Sequence, residues 1–371
     1  MAGREMNPLR RLRYAGTPLA WRALHAAKLY RPATPPVAFV IERADWAIRW
    51  VGEHVCAEVE KRRPGTAAVT VRPERQVDRV VHFGSQYMWL AWGGGMSPKN
   101  RNVTSFFHGK PEDGPDVARH IDEFLKSVPR LSRIVASASI VEQRLLSWGV
   151  PRDKVVRIPI GVDTSLFLPP TPAQRAAARA KFGVPEGALC IGSFQKDGVG
   201  WGDGMEPKLI KGPDVFISVV TRLAKERPVF VLLTGPARGY VKAGLGRAGI
   251  PFAHTYAPGH AELVECYHAL DLYLVTSREE GGPMGLMESM SSSVTVVSTA
   301  VGMAPDLIDD GVTGGLVESE AVDAMVRRAL DLTGLPDNAA ALHAAARVKV
   351  GVADWSVVGR DHLEQAYLTL L

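Results

Sequence analysis

At 371 residues the chain is too long for one ordinary core and suits two α/β domains of roughly 150–200 residues each. Its 46% hydrophobic and 22% charged residues exclude a disordered chain, and no apolar run approaches the ~20 residues that span a bilayer. The net charge of +5 arises in residues 1–31, where seven basic side chains meet only Glu5, so the remainder is close to neutral. Cys56, Cys190 and Cys266 lie far apart and form no CxxC pair. That spacing argues against a disulfide framework or a structural zinc, and a reducing cytoplasm is the simplest compartment.

Residues 1–36 read as a basic arm without the apolar core of a signal peptide. Leu9, Leu12, Leu19, Trp21, Leu24 and Tyr30 alternate there with arginines. One expectation is a peripheral contact with an anionic membrane at the inner face; the other is a helix packed on the domain with its arginines in water. Without a second basic patch, nucleic acid is not an expected partner.

After Pro35-Pro36, strand-like runs are expected at 37–41, 67–72, 79–83, 103–107, 133–137 and 154–160, with helices at 116–128, capped by Asp116, and 139–148, ended by Gly149. A second series follows Pro169-Pro170, with strands at 189–194, 228–234, 270–276 and 294–299 and helices at 173–182, 213–226, 260–268 and 284–292. Strands alternating with helices imply parallel sheets with right-handed crossovers. The expected division is a first domain over 37–165, a second over 166–350, and a closing helix over 351–371. Both are Rossmann-like, doubly wound α/β units, in which ligands bind at the carboxyl ends of the strands.

The most informative such end is Thr276-Ser277-Arg278-Glu279-Glu280-Gly281-Gly282-Pro283-Met284-Gly285-Leu286-Met287-Glu288. Gly281 and Gly282 lack side chains where the backbone must turn and a ligand can approach. The amides at 282–286 point from a helix N-terminus, a good place for a phosphate. Glu280 precedes that phosphate position and Glu288 follows it by about one helical turn. Two carboxylates so placed bracket a molecule built as sugar–diphosphate–ribose, because a carboxylate accepts hydrogen bonds from vicinal hydroxyls.

This segment resembles the Glu-x7-Glu motif of glycosyltransferase family 4, retaining enzymes of the GT-B fold. Val297-Ser298-Thr299, Val301-Gly302-Met303-Ala304-Pro305-Asp306 and Asp310-Gly311-Val312-Thr313-Gly314-Gly315 fit the same pattern, with Asp306 where the family usually has Glu. Ile158-Pro159-Ile160-Gly161-Val162-Asp163 through Phe167 resembles the interdomain segment, with Ile160 for Asn.

The resemblance implies two domains facing across a cleft, with the donor on the second and the acceptor on the first. It implies retention at the anomeric carbon, a nucleotide-diphosphate sugar as co-substrate, a hydroxyl acceptor (glycan, lipid-linked or small-molecule), and neither metal nor cofactor. The family's diphosphate-binding lysine falls on Lys211. Its arginine is missing, leaving Lys196, Lys208 or Arg238 to supply the second charge. His108, after a strand, resembles the histidine that faces the donor sugar, so Glu280, His108 and Lys211 are the expected catalytic residues.

Base contacts are expected near Thr255 and Tyr256. The family's Gly-rich first loop is replaced by residues 42–50, whose Asp45, Trp46 and Arg49 are acceptor-side candidates together with Gln86. Sugar-nucleotide hydrolysis or epimerisation on the same fold, or sugar-nucleotide binding without catalysis, are the alternatives.

Overall fold

The computed structural model describes residues 8–43, 47–257, 259–334 and 336–371. The chain divides into two compact units, Val162–Asp354 and the residues on either side of it.

In the first unit the strands are β1 (Val37–Val40), β2 (Ala67–Thr70), β3 (Val80–Phe83), β4 (Arg101–Phe106), β5 (Arg133–Ala136) and β6 (Val155–Arg157). All pair in parallel, in the order β2-β1-β3-β4-β5-β6. The helices are α1 (Pro8–Ala26), α2 (Ala47–Arg62), α3 (Gln86–Trp92), α4 (Pro115–Ser127) and α5 (Ser139–Ser147).

Val51, Val55 and Val59 recur every four residues along α2 and pack with β1 in one core. Gly52 is needed in that layer, since a Cβ would lie 2.5 Å from Ile41. The fourth helix begins at Pro115, capped by the Gly114 backbone, so Asp116 sits inside its first turn and is not the cap. Gly149, with φ +85°, follows α5.

The second unit contains β7 (Leu189–Ser193), β8 (Val229–Thr234), β9 (Phe252–Thr255), β10 (Leu272–Val275), β11 (Thr295–Thr299) and β12 (Gly315–Val317). They form a parallel sheet ordered β12-β11-β10-β7-β8-β9. Its helices are α6 (Pro172–Phe182), α7 (Pro213–Glu226), α8 (Gly239–Arg247), α9 (His260–His268), α10 (Met284–Ser291), α11 (Ala304–Leu307), α12 (Val322–Thr333) and α13 (Pro336–Val350). Near-continuous Val, Leu and Ile in β7, β8 and β10 are buried, as a sheet covered on both faces requires. The sixth helix has a capping box from Thr171 and Gln174 and ends at left-handed Gly183.

The last segment returns to the first unit, as α14 (Trp355–Asp361) followed by a π-helical turn at His362–Tyr367. Trp355 rests on Gly161, where any Cβ would come within 2.2 Å of the indole. The buried Tyr367 hydroxyl reaches His82 Nδ1 at 2.7 Å. The divisions expected after 165 and 350 thus fall a few residues away, after Gly161 and Asp354.

Candidate functional site

Strand order locates the site of the second unit. Counted from β7, its sheet runs 6-5-4-1-2-3, so the crossovers reverse direction between β7 and β10. Ligands of doubly wound sheets bind outside the carboxyl ends of the strands at that switch. Here those ends are Ser193-Phe194 and Thr276–Glu280.

Two glycines bring neighbouring loops onto the Thr276–Glu280 backbone. Gly212 has φ +61°, and a Cβ there would fall 1.9 Å from the Thr276 carbonyl oxygen; in return the Thr276 hydroxyl donates to the Gly212 carbonyl at 2.8 Å. Gly302 has φ +50° and lies against the carbonyls of Glu280 and Gly281. Arg278 completes the clamp by gripping both carboxylate oxygens of Asp214, at 2.9 and 2.8 Å. That contact holds the Asp214 carboxyl below its ordinary range.

The result is a small polar network. The Lys211 ammonium donates to Glu280 Oε1 at 2.5 Å, and the Ser277 hydroxyl donates to the same oxygen at 2.9 Å. Gln195, just after β7, donates through Nε2 to the Lys211 carbonyl at 3.0 Å. Glu280 is only 7% exposed, and the Lys211 ammonium offsets part of the cost of burying its carboxylate.

Lys208 and Lys196 stand nearby. Crowding lowers the Lys208 ammonium below its ordinary value, and the positive charge of Lys211 adds to the effect, while Glu280 opposes it. Lys196 lies 4.7 Å from the ring centroid of exposed Trp201, which belongs to a Gly-rich insertion after β7 running from Gly198 to Gly204. Lys196, Lys211 and Glu280 all lie within electrostatic reach of the Lys208 ammonium.

Arg238 does not join them. It is 1% exposed, and its five N–H donors go to Asp197 at 3.0 Å and to the Ser193 carbonyl, the Ser193 hydroxyl and the Thr234 carbonyl. A guanidinium already saturated by internal partners has no donor left for a diphosphate. The expectation that Arg238 supplies the second charge is corrected on that ground: it is the strut that fixes the insertion to the sheet.

Glu288 sits inside α10, 5% exposed, and its Oε2 accepts from the Tyr267 hydroxyl at 2.5 Å. Burial pushes its carboxyl up to about 7, and the Tyr267 hydrogen bond offsets only part of that. Tyr267, Phe194 and Tyr273 form the aromatic wall around it.

Gly285 has a packing role in this wall: an added Cβ would lie 2.1 Å from the Tyr273 hydroxyl, which in turn accepts from the Phe194 amide at 3.1 Å. Pro283 and Met284 form the entry to α10 beside Gly281 and Gly282. Thr255 ends edge strand β9, with exposed Tyr256 next along the chain.

In the first unit the switch falls between β1 and β3. After β3, Ser85 caps α3 and Gln86 is buried, its Nε2 donating to the His108 carbonyl beyond β4 at 3.1 Å. Gln86 and His108 are therefore neighbours. Asp45 and Trp46 lie outside the described residues. Arg49 belongs to the first turn of α2, where it pairs with Glu53 at 2.8 Å.

Residues 203–334 match the family model described as glycosyl transferases group 1. The chain is 26% identical over 254 residues to a D-inositol 3-phosphate glycosyltransferase of Segniliparus rotundus, covering 66% of this chain and 54% of the relative. It is 28% identical over 292 residues to the protein of that name from Streptomyces coelicolor, covering 69% and 62%. The chain thus spans little more than half the length of these curated relatives. Among solved structures it superposes on Anabaena HepE in complex with UDP with a TM-score of 0.69, at 14% identity, covering 89% of this chain and 98% of that one.

The fold is GT-B.

A sucrose-phosphate synthase from Thermosynechococcus elongatus shares it, with a TM-score of 0.68 at 15% identity over 91% of this chain and 99% of that one. Ser277, Gln195 and Tyr267 hydrogen-bond into the cluster of Lys211, Glu280 and Glu288 without being candidate site residues in the sequence. No local motif marks them; each becomes visible only once the sheet brings β7, β10 and α9 together.

Proposed function

We propose that the second unit binds a nucleoside-diphosphate sugar at the Thr276–Glu288 segment, and that the protein is a glycosyltransferase passing the sugar to a hydroxyl acceptor. The observation that carries this reading is the Lys211–Glu280 pair, held by Ser277 and Gln195 at the switch point of a GT-B unit. UDP is the nucleotide we favour, because the Anabaena structure is described as a complex with UDP.

In this reading Lys211, with Lys208 and Lys196, neutralises the diphosphate as it leaves, a preorganised cationic stabilisation that needs no metal. Glu280 accepts from hydroxyls of the sugar. Glu288 uses Oε1 for the ribose hydroxyls while Oε2 stays with Tyr267. Gly281, Gly282, Met284 and Gly285 bring backbone N–H groups to the phosphates, Pro283, which has none, sets the turn into α10, and Thr255 and Tyr256 flank the base. Retention at the anomeric carbon follows if the leaving diphosphate takes the acceptor's proton on the face it departs from. His108 and Gln86 are the first-unit residues proposed for the sugar and acceptor side.

The decisive experiment is calorimetry with UDP-, GDP-, ADP- and dTDP-sugars, followed by product analysis with candidate hydroxyl acceptors. One sugar nucleotide should bind the wild type and bind Lys211→Met at least tenfold more weakly, and its product should keep the donor's anomeric configuration. Binding that survives Lys211→Met intact would overturn the site. Release of free sugar that no acceptor diverts would overturn transfer in favour of hydrolysis.

We further infer that the protein is cytoplasmic and that the basic arm brings it to the inner face of the membrane. Trp21 is held by Tyr30 and by Arg75 over its ring, whereas Leu19, Leu24 and Leu29 remain exposed, Leu29 by 77%, beside Arg22, Lys28 and Arg31. No helix among the described residues is long and apolar enough to cross a membrane. Co-sedimentation with phosphatidylglycerol vesicles, but not with phosphatidylcholine ones, is the expected result; equal recovery with both would sink the inference.

A further inference from the structure

The second unit carries a cavity of about 560 Å³ at the end of its sheet opposite the Glu280 network. It is lined where strands begin: Leu189 opens β7, Asp271 precedes β10, Thr295 opens β11, and Arg227 lies just ahead of β8. The strand β10 therefore links two distinct places, with Asp271 at its amino end and the Thr276–Glu280 loop at its carboxyl end.

The charge of the lining is unbalanced. Arg175 and Arg179 reach in from α6, with Arg227 as the third cation, and Asp271 is the single carboxylate among the lining residues. Two of the guanidinium groups have structural work. Arg175 donates to the Leu270 carbonyl at 2.8 Å and pairs with Asp271; Arg179 donates to Asp271 at 2.9 Å and to the Ala188 carbonyl at 2.8 Å. These contacts satisfy the carbonyls before β7 and β10 and neutralise one charge.

They do not account for Arg227. Among the described residues its side chain has neither an ion-pair nor a hydrogen-bond partner, although it is half-buried at the cavity wall. The other walls combine hydroxyls (Ser293, Thr295 and Thr333) with Pro169 and Leu332. His343 adds an imidazole, its Nε2 3.1 Å from the Thr295 hydroxyl. Burial, with the charge of Arg175, holds that imidazole below its ordinary value and so keeps it neutral at pH 7.

Surplus guanidinium charge in a concave site selects an anion with planar or tripodal oxygens, which a guanidinium fork binds in bidentate fashion. The volume selects something larger than a bare ion. At about 560 Å³ it is in the range of small-molecule sites and larger than one phosphate fills.

We propose that this cavity is a second binding site, separate from the donor loop, for a small phosphate monoester with a hydroxylated body, anchored by Arg227. The phosphate lies against Arg227 and the free edges of Arg175 and Arg179, while the hydroxylated part meets Ser293, Thr295 and Thr333. This proposal does not depend on the function proposed above.

The test uses the full chain and calorimetric titration with glucose 6-phosphate and, in parallel, inorganic phosphate. Glucose 6-phosphate is expected to bind at least tenfold more tightly than inorganic phosphate. Arg227→Gln should weaken it tenfold or more at unchanged melting temperature, because the guanidinium it removes has no internal partner. Lys211→Gln should leave it unchanged. Absence of saturable binding by either probe overturns the proposal, and so does binding indifferent to Arg227→Gln. Binding lost in Lys211→Gln assigns the probe to the donor loop and overturns it as well. Equal affinity for the two probes overturns the hydroxylated body.

Discussion

Glu288→Gln should make the protein more stable, and by an amount that grows with pH. In the folded chain burial lifts the Glu288 carboxyl from the ordinary 4.5 to about 7. The folded state therefore holds this proton more tightly than the unfolded state does. The sign follows: the contribution to stability is fully present below pH 4.5 and is lost as pH rises through 7. A displacement of that size corresponds to about 3 kcal/mol, of which about 2–3 kcal/mol falls between pH 5 and pH 8.

Glutamine keeps the shape and still accepts from the Tyr267 hydroxyl, but carries no charge at any pH. Urea unfolding of wild type and variant, followed by circular dichroism at pH 5 and pH 8, should show the variant gaining about 2–3 kcal/mol on the wild type across that interval. Every other titrating group is common to both proteins and drops out of the difference. A gap that stays constant with pH would refute the argument that burial governs this carboxyl.

The same residue predicts a binding profile. If ribose hydroxyls donate to ionised Glu288, sugar-nucleotide affinity should rise about tenfold from pH 6 to pH 8 in the wild type, and calorimetry on Glu288→Gln should show no such step. Gly285→Ala drives a methyl into the Tyr273 hydroxyl and should cost about 1–3 kcal/mol. Because the ring carbons Cζ and Cε1 would also lie 2.4 and 2.8 Å away, only Tyr273→Ala clears the space; its cost and that of Gly285→Ala should then be less than additive, and strictly additive losses in melting temperature would contradict the geometry. Arg238→Met strands Asp197 without its partner in a buried position and should cost about 3–5 kcal/mol; denaturant midpoints within error of wild type would show that the pair is not a strut.

Much of the fold was legible because its signals were local. Runs such as Val229–Thr234 and Leu272–Val275 are wholly apolar up to their last residue, and Thr171-Pro172 with Gly183 bracket a helix by chemistry alone. The elements that went unread lacked such marks. Phe252–Thr255 is an edge strand of only four residues. The second helix mixes Trp50, His54 and six acidic or basic side chains with its valine stripe, so the segment 42–50 reads as a loop although the helix begins at Ala47.

Glu280 and Glu288 stand out in the sequence because a strand, two glycines and a helix start are contiguous around them. Arg238 misled for the opposite reason. An arginine after a Thr-Gly-Pro turn looks free in a sequence, and only the fold reveals that Asp197, forty-one positions earlier, faces it.

The return of Trp355–Leu371 to the first unit makes the second unit an insertion within the first, and that fixes an order of events during synthesis. Val162–Asp354 has all its own strands as soon as they leave the ribosome and can fold at once. The first unit must wait for Trp355 to cover Gly161 and for Tyr367 to reach His82. Until then it carries an uncovered apolar face, so a chain halted after Asp354 should display a protease-resistant second unit beside a digestible first one. Recovery of both units intact from that truncated chain would show that the returning segment is ornament and not closure.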